Sequence, residues 1–353
     1  MAKRKIKSII NKSKKVFKEC SLKNGAIVAS NIHDPEYPKH AKNYNYVWPR
    51  DASFVSVACD LLGLKKISEN YFKWCWKAED FKEKGIFYMR YFPNGKMFGR
   101  QFQPDQSGSL LWAIEHHCET YGKDPKKFEN LIVKTADGIC SNWKKTCFRK
   151  ISYDLWEEIR AYPQNNEKHT YSVAMCLRGL KSAIKLIGKN KRWMGCIEQM
   201  ENEIEKAYDK KIGFFVRTFG DNFVDLIIDS SMLGLVWPSE VIKPKDKRIV
   251  RTVNEIRRIN LINDGLMRYP GDRYDGTLRR AGAGAWPLLN FWMSIYYIKS
   301  GNRREARKYF DWVIERVDKK LPEQIKNNNP SSIIPLTWSH AMFIIASKFL
   351  GYV

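Results

Sequence analysis

Glu157 and Glu158 stand directly after Trp156 in the stretch DLWEE (154–158), and Glu323 follows a proline in LPEQ (321–324). A carboxyl pressed against an indole loses water, which favours its neutral form and raises its pKa, as a general acid requires. The same acids also fit the first turn of a helix, where Asp and Glu are favoured. Glu323 alone equally fits an ordinary loop or helix-start glutamate. Two carboxylates remote in sequence can nevertheless face each other across a pocket. Cleavage of a glycosidic bond needs such a pair, one to protonate the leaving oxygen and one to activate water or attack carbon.

A second charged pair lies in YNYVWPRDASF (44–54), where Arg50 and Asp51 follow Trp48 and Pro49. Neighbours in sequence do not share a helix face, so the spacing predicts that these two charges address something outside the chain. Five connections between apolar stretches carry the unusual residues: NYNYVWPRD, MFGRQFQPDQSG, SYDLWEEIRAYPQNNEKH, MRYPGDRYDGTLRRAGAGAW and LPEQIKNNNPSSI. Long connections in a compact domain are usually functional. Each mixes aromatic rings with charges or amides, a combination suited to sugars, whose rings stack on aromatic faces while their hydroxyls seek donors and acceptors.

The elements that must hold these loops are helices. Apolar residues recur at helical spacing over 51–64, 107–122, 169–188, 192–208, 285–301, 302–318 and 335–351, several of them closing on a glycine. Strand-like alternation is scarce, with GIFYMRYF (85–92) and GFFVRTF (213–219) the best candidates. No composition break divides the chain, so the pattern predicts an all-α array or a closed α/α barrel.

The chain has 353 residues, with 62 Lys and Arg against 38 Asp and Glu, a formal charge of +24. That excess admits a nucleic-acid binder or a lysine-rich solvated surface. The densest run, KRKIKSIINKSKK (3–15), reads as an amphipathic helix or a frayed arm, and no nucleic-acid recognition signature accompanies it. No two of the eight cysteines have C-x-x-C spacing, which argues against a structural zinc site and for reduced, buried thiols. His116 and His117 are adjacent, which disfavours a shared site, and His340 reads as a pocket-floor residue or a packed helix histidine. Neither a signal-like apolar segment nor a membrane span is present. These features predict a cytoplasmic protein without metal or cofactor, and with no nucleic-acid or membrane partner.

In chain order, YNYVWPRD, QPDQSG, SYDLWEE, RYPGD, GAWP and LPEQ…PLTWSH together resemble glycoside hydrolase family 15, the glucoamylase, glucodextranase and bacterial or archaeal trehalase group. The resemblance runs from about residue 44 to the end. It implies an all-α (α/α)6 barrel, with 1–40 a basic N-terminal helix or arm, 41–353 the catalytic domain, and no N-terminal β-sandwich of the kind many prokaryotic members carry. It implies Glu157 as general acid and Glu323 as the base that activates water. Arg50 and Asp51 would grip the outer hydroxyls of the non-reducing sugar, and Glu158 and Arg268 the next sugar. Trp48, Phe98, Trp156 and Trp286 would be aromatic walls, with Asp105 and Leu155 completing the substrate-binding set.

The implied reaction is hydrolysis with inversion from the non-reducing end, with α-1,4 links first and α-1,6 or α,α-1,1 links as alternatives. It carries the expectation that Glu157 titrates high while Glu323 is ionised near neutrality, and that their carboxyls lie roughly 6.5–9.5 Å apart. The implied partner is an oligosaccharide or glucan, with a homo-oligomer or covering subunit over the bare barrel face. The segment IRAYPQNNEK (159–168) intervenes before HTYS and borders the outer subsites, and Gly271 stands where fungal members carry a carboxylate. A degenerate sugar binder and a basic nucleic-acid-binding helical protein are the readings from other classes.

Overall fold

The computed structural model of the protein describes residues 2–277 and 282–353; the loop 267–286 thus crosses four residues, 278–281, that lie outside the described ones. The helices are α1 (Ala2–Cys20), α2 (Pro49–Leu61), α3 (Lys65–Lys77), the single turn α4 (Phe81–Lys84), α5 (Asp105–Tyr121), α6 (Glu129–Asn142), α7 (Thr170–Ile187), α8 (Lys191–Lys206), α9 (Lys247–Ile259), α10 (Pro287–Lys299), α11 (Arg303–Arg316) and α12 (Thr337–Leu350). Seven were legible as periodic stretches. The stripes of α3, α6 and α9 are interrupted by lysine, arginine or threonine and did not stand out.

An inner ring closes on itself. Helix α12 packs on α2, α2 on α5, α5 on α7, α7 on the 3-10 segment Ser230–Leu235, that segment on α10, and α10 back on α12. Outside it, α1 lies on α12, α3 on α2, α6 on α5 and α7, α8 on α7, α9 against the 3-10 segment, and α11 on α10. This is an (α/α)6 barrel in which one inner member is reduced to a short 3-10 stretch. The inner helices carry no polar outer face because every side is buried: residues 49–60 of α2, the charges Arg50, Asp51 and Asp60 among them, 287–297 of α10 and 337–347 of α12 are all enclosed. Outer helices bury only a stripe, as α9 does with Ile249, Val253 and Ile256 while its arginines face water. Gly108 lets α5 and α7 touch, since a Cβ there would sit 2.2 Å from the carbonyl oxygen of Met175.

The basic run 3–15 is a packed helix. Ile6, Ile9, Val16 and Phe17 of α1 are buried, and the Ser13 hydroxyl lies 2.8 Å from His340 Nδ1 on α12. His340 is a core histidine. Burial holds it neutral, with its pKa lowered to about 3. Its Nε2 accepts the Leu321 backbone N–H at 2.9 Å, so Nδ1 carries the proton and donates to Ser13. This anchors the loop that carries Glu323 to the barrel wall.

The strands are short antiparallel pairs in the connections. GFFVRTF supplies Phe214–Phe215 and Thr218–Phe219, whereas GIFYMRYF makes only isolated bridges through Tyr88 and Tyr91.

Candidate active site

Two inner helices begin with the same dipeptide. Trp48 caps α2 and Trp286 caps α10, both in extended conformation, with Pro49 and Pro287 at the first helical position. Proline fits there because the N–H it lacks would have no intrahelical acceptor. The result is an indole at each helix mouth. These mouths, together with the start of α12, surround a cavity of about 90 Å³ lined by residues that include Tyr44, Trp48, Arg50, Asp51, Trp156, Glu157, Arg268, Trp286 and Glu323. It is far smaller than the roughly 300–1,000 Å³ of pockets for drug-sized ligands.

Glu157 enters on a tight turn. The Asp154 carboxylate accepts the backbone N–H groups of Glu158 and Ile159 at 2.8 and 2.9 Å, and Glu157 adopts a left-handed φ of 67°. A non-glycine residue held there is costly, about 1–3 kcal/mol, and marks an imposed orientation. Glu157 as a whole is half-buried, but its carboxyl is enclosed and accepts the indole N–H of Trp48. Burial pushes its pKa up to about 7, against the pull of Arg50 and Arg90.

Glu323 is buried at 2% exposure. Its carboxyl accepts the hydroxyls of Tyr44, at 2.8 Å, and Ser332. Gly276 must be glycine beside it, since a Cβ would lie 2.4 Å from Glu323 Oε2 and the backbone φ is 64°. Burial pushes Glu323 up to about 7 as well, with the Ser332 and Tyr44 hydrogen bonds opposing. This differs from the expectation of a carboxylate fully ionised at neutrality, because desolvation outweighs two donors. Those donors still favour the anion on Glu323, whereas Glu157 has a single indole donor. The rings of Tyr44 and Trp48, which donate to the two acids, lie 5.4 Å apart.

Arg50 and Asp51 both line the cavity and both are buried. They also touch each other, Arg50 Nε to Asp51 Oδ1 at 3.2 Å, contrary to the expectation that adjacency would keep them apart. The long arginine folds back in the first turn of α2. Asp105 does not line the cavity; fully buried, it holds Arg50 Nη1 at 3.0 Å. Arg268 lies within 5.0–5.3 Å of the rings of Trp156, Tyr269, Tyr274 and Trp286. It bonds Asp272 at 2.7 and 2.5 Å and Glu158 at 2.8 Å. Glu158 also accepts the Tyr269 hydroxyl and lies outside the lining. Leu155 lines the cavity. Phe98 does not: it packs on Tyr46 and Phe92 under the Arg90 guanidinium.

Tyr44, Tyr274, Leu336 and Trp338 also line the cavity and were not singled out as site residues, although each sits within or beside a quoted motif. The indole N–H groups of Trp286 and Trp338 are enclosed and have no hydrogen-bond acceptor among the described residues. No group of three or more His, Cys, Asp or Glu among the described residues is arranged to hold a metal, and no described helix is long and apolar enough to cross a membrane.

The inner N-termini of a ring of paired helices thus close on two carboxyls among indoles, in an α/α-barrel architecture. The sequence profile described as glycosyl hydrolases family 15 matches residues 2–348, and the chain belongs to that family. It is 31% identical over 352 residues to an uncharacterised glycosyl hydrolase of Methanocaldococcus jannaschii, covering 92% of this chain and 53% of that protein. An isomaltose glucohydrolase of Kribbella flavida is 23% identical, covering 71% and 65%. A trehalase of Mycobacterium tuberculosis is 24% identical, covering 80% and 45%. The chain thus spans about half the length of the first and third of these relatives and 65% of the second.

Among solved structures, a wild-type glycosidase superposes with a TM-score of 0.80 at 20% identity, covering 99% of this chain and 98% of that one. A bacterial glucoamylase complexed with acarbose gives 0.74 at 19%, covering 97% and 55%, and the family 15 glucoamylase of Hypocrea jecorina 0.73 at 15%, covering 100% and 73%. At these identities the likeness is one of fold.

Proposed function

We propose that the protein is an inverting, exo-acting α-glucoside hydrolase that releases β-glucose from the non-reducing end of oligosaccharides, with α-1,4 links as the first choice and α-1,6 or α,α-1,1 links as the alternatives. The observation that carries this reading is that Glu157 and Glu323, remote in sequence, line one aromatic cavity.

In this reading the Glu157 carboxyl gives its proton to the glycosidic oxygen as the bond to the anomeric carbon breaks. Glu323 takes a proton from a water that attacks the opposite face of that carbon. Arg50 and Asp51 bind the outer hydroxyls of the terminal ring. The ring stacks among Trp48, Trp156 and Trp286, while Arg268, steadied by Glu158, meets the next sugar. Asp105 acts by holding Arg50. The narrow cavity favours a chain end over an internal segment.

A panel of maltose, isomaltose, trehalose and longer glucans, scored for released glucose, tests the reading and selects the linkage. Glu157→Gln and Glu323→Gln should each lower kcat about 10²–10⁴-fold with the fold intact. Near-normal turnover in either variant removes that residue from its role.

A further inference from the structure

We propose that Asp229, clamped by Arg217, is a positioning residue that fixes the indole of Trp156 beside Glu157 and so sets the geometry of the acid-bearing wall. The inference rests on the reading of Glu157 as an acid.

Of the three residues at the centre of this network, Arg217 directly precedes the Thr218–Phe219 strand, Asp225 and Asp229 come from the connection after it, and none lines the cavity. Asp229 is fully buried, Arg217 is 4% exposed and Asp225 is 6% exposed. Both Asp229 oxygens accept the Trp156 indole N–H, at 3.1 and 3.0 Å. Asp229 Oδ1 also accepts the Ser231 backbone N–H at 2.7 Å, and Oδ2 accepts Arg217 Nη1 at 3.3 Å. Arg217 Nε donates to Asp225 Oδ2 at 2.8 Å.

The same guanidinium lies 3.9 Å from Asp154 Oδ2, the carboxylate whose other oxygen builds the Glu157 turn. Its face covers the Tyr269 ring at 4.8 Å, and Tyr269 donates to Glu158. One buried cation therefore ties together the carboxylate behind Trp156, the turn that aims Glu157 and the ring that steadies Glu158. Charge-assisted bonds of this kind, between buried groups, hold orientation more tightly than neutral ones. Burial pushes Asp229 towards neutrality and Arg217 opposes it, so the clamp needs the guanidinium to keep its acceptor ionised.

An amide cannot replace the carboxylate. With every donor in place, Asp229→Asn would turn its NH₂ towards Arg217 or towards Ser231, and in either case towards the Trp156 N–H. Small misplacements of reacting groups cost up to about 10²-fold in rate. Asp229→Asn should therefore lower kcat on the order of 10- to 100-fold with little change in KM.

A double-mutant cycle decides whether the effect passes through the indole. In a Trp156→Phe background, which keeps a ring and removes the N–H, Asp229→Asn should cause little further loss; the same loss in both backgrounds overturns the proposal. The Trp156 indole ¹H–¹⁵N resonance, assigned by its disappearance in Trp156→Phe, should move in Asp229→Asn, and an unmoved resonance also overturns it. That signal decides the matter even if the wild-type protein releases no glucose, the outcome that would sink the hydrolase reading instead. Should Asp229→Asn fail to fold, Arg217→Lys, which keeps the charge and loses the planar fork, should move the same resonance; no movement overturns the clamp.

Discussion

Replacing Glu323 with glutamine should make the protein more stable, and more so as the pH rises. The folded carboxyl is raised to about 7 from the ordinary 4.5, chiefly by burial. With the folded value above the unfolded one, the native state holds the extra proton. The stability this provides is complete below about 4.5 and is lost as the pH climbs through about 7. The whole loss is about 3 kcal/mol, at about 1.4 kcal/mol for each tenfold change in proton affinity. Between about pH 5 and about pH 8.5 it is about 2.5 kcal/mol, because at the lower pH the unfolded chain is already mostly ionised.

Glutamine does not titrate. The stability difference between Glu323→Gln and wild type should therefore grow by about 2.5 kcal/mol across that range, worth about 3 °C in Tm for a chain of this length. Scanning calorimetry of both proteins at the two pH values measures it. An equal difference at both would refute the claim that a desolvated carboxyl is held here at a cost in stability, a common feature of functional sites.

Other consequences are as direct. With both acids near 7, kcat/KM should be bell-shaped and centred near neutrality. It should fall at low pH as Glu323 gains a proton and at high pH as Glu157 loses one; a profile still rising at about pH 9 would contradict this assignment. Arg50→Met should leave the buried carboxylate of Asp105 without its cation, at about 3–5 kcal/mol or about 4–7 °C in Tm, besides weakening substrate binding. A melting point equal to wild type would show that the ion-pair cluster is not a stabilising unit. Gly276→Ala should cut activity well beyond its effect on stability, since the new Cβ strikes Glu323 and Ser332; wild-type kcat would show that this approach is slack.

The sequence was most legible where burial is total. Inner helices α2, α5, α7, α10 and α12 are long apolar stretches, and their pattern alone pointed to an α-helical layer fold. The 3-10 stretch Ser230–Leu235, which completes the inner ring, was not legible, because six residues are too few for a helical period to declare itself. Glu157 and the Arg50–Asp51 pair were found through motifs that place them close to tryptophan, and Glu323 through LPEQ, where it follows a proline. Phe98 in MFGR and Asp105 in QPDQSG were included through the family resemblance, yet both lie outside the cavity lining, as does Glu158. Local sequence cannot say which side of a loop faces inward. Tyr44 and Ser332 were missed as hydrogen-bond donors because their contacts with Glu323 span 279 and 9 residues and depend on how the barrel closes. The +24 charge admitted a nucleic-acid reading, which is a matter of the outer surface; the cavity, lined by Asp51, Glu157, Glu323, indoles and the two arginines Arg50 and Arg268, has the donors and acceptors that suit a polyol.

The most direct test is the anomeric form of the first glucose released from an α-linked substrate, followed by proton NMR before mutarotation. The proposed acid and base, acting with a water between them, predict β-glucose at the earliest times, decaying to the equilibrium mixture. Initial release of α-glucose would mean that Glu323 does not deliver water to the far face of the sugar.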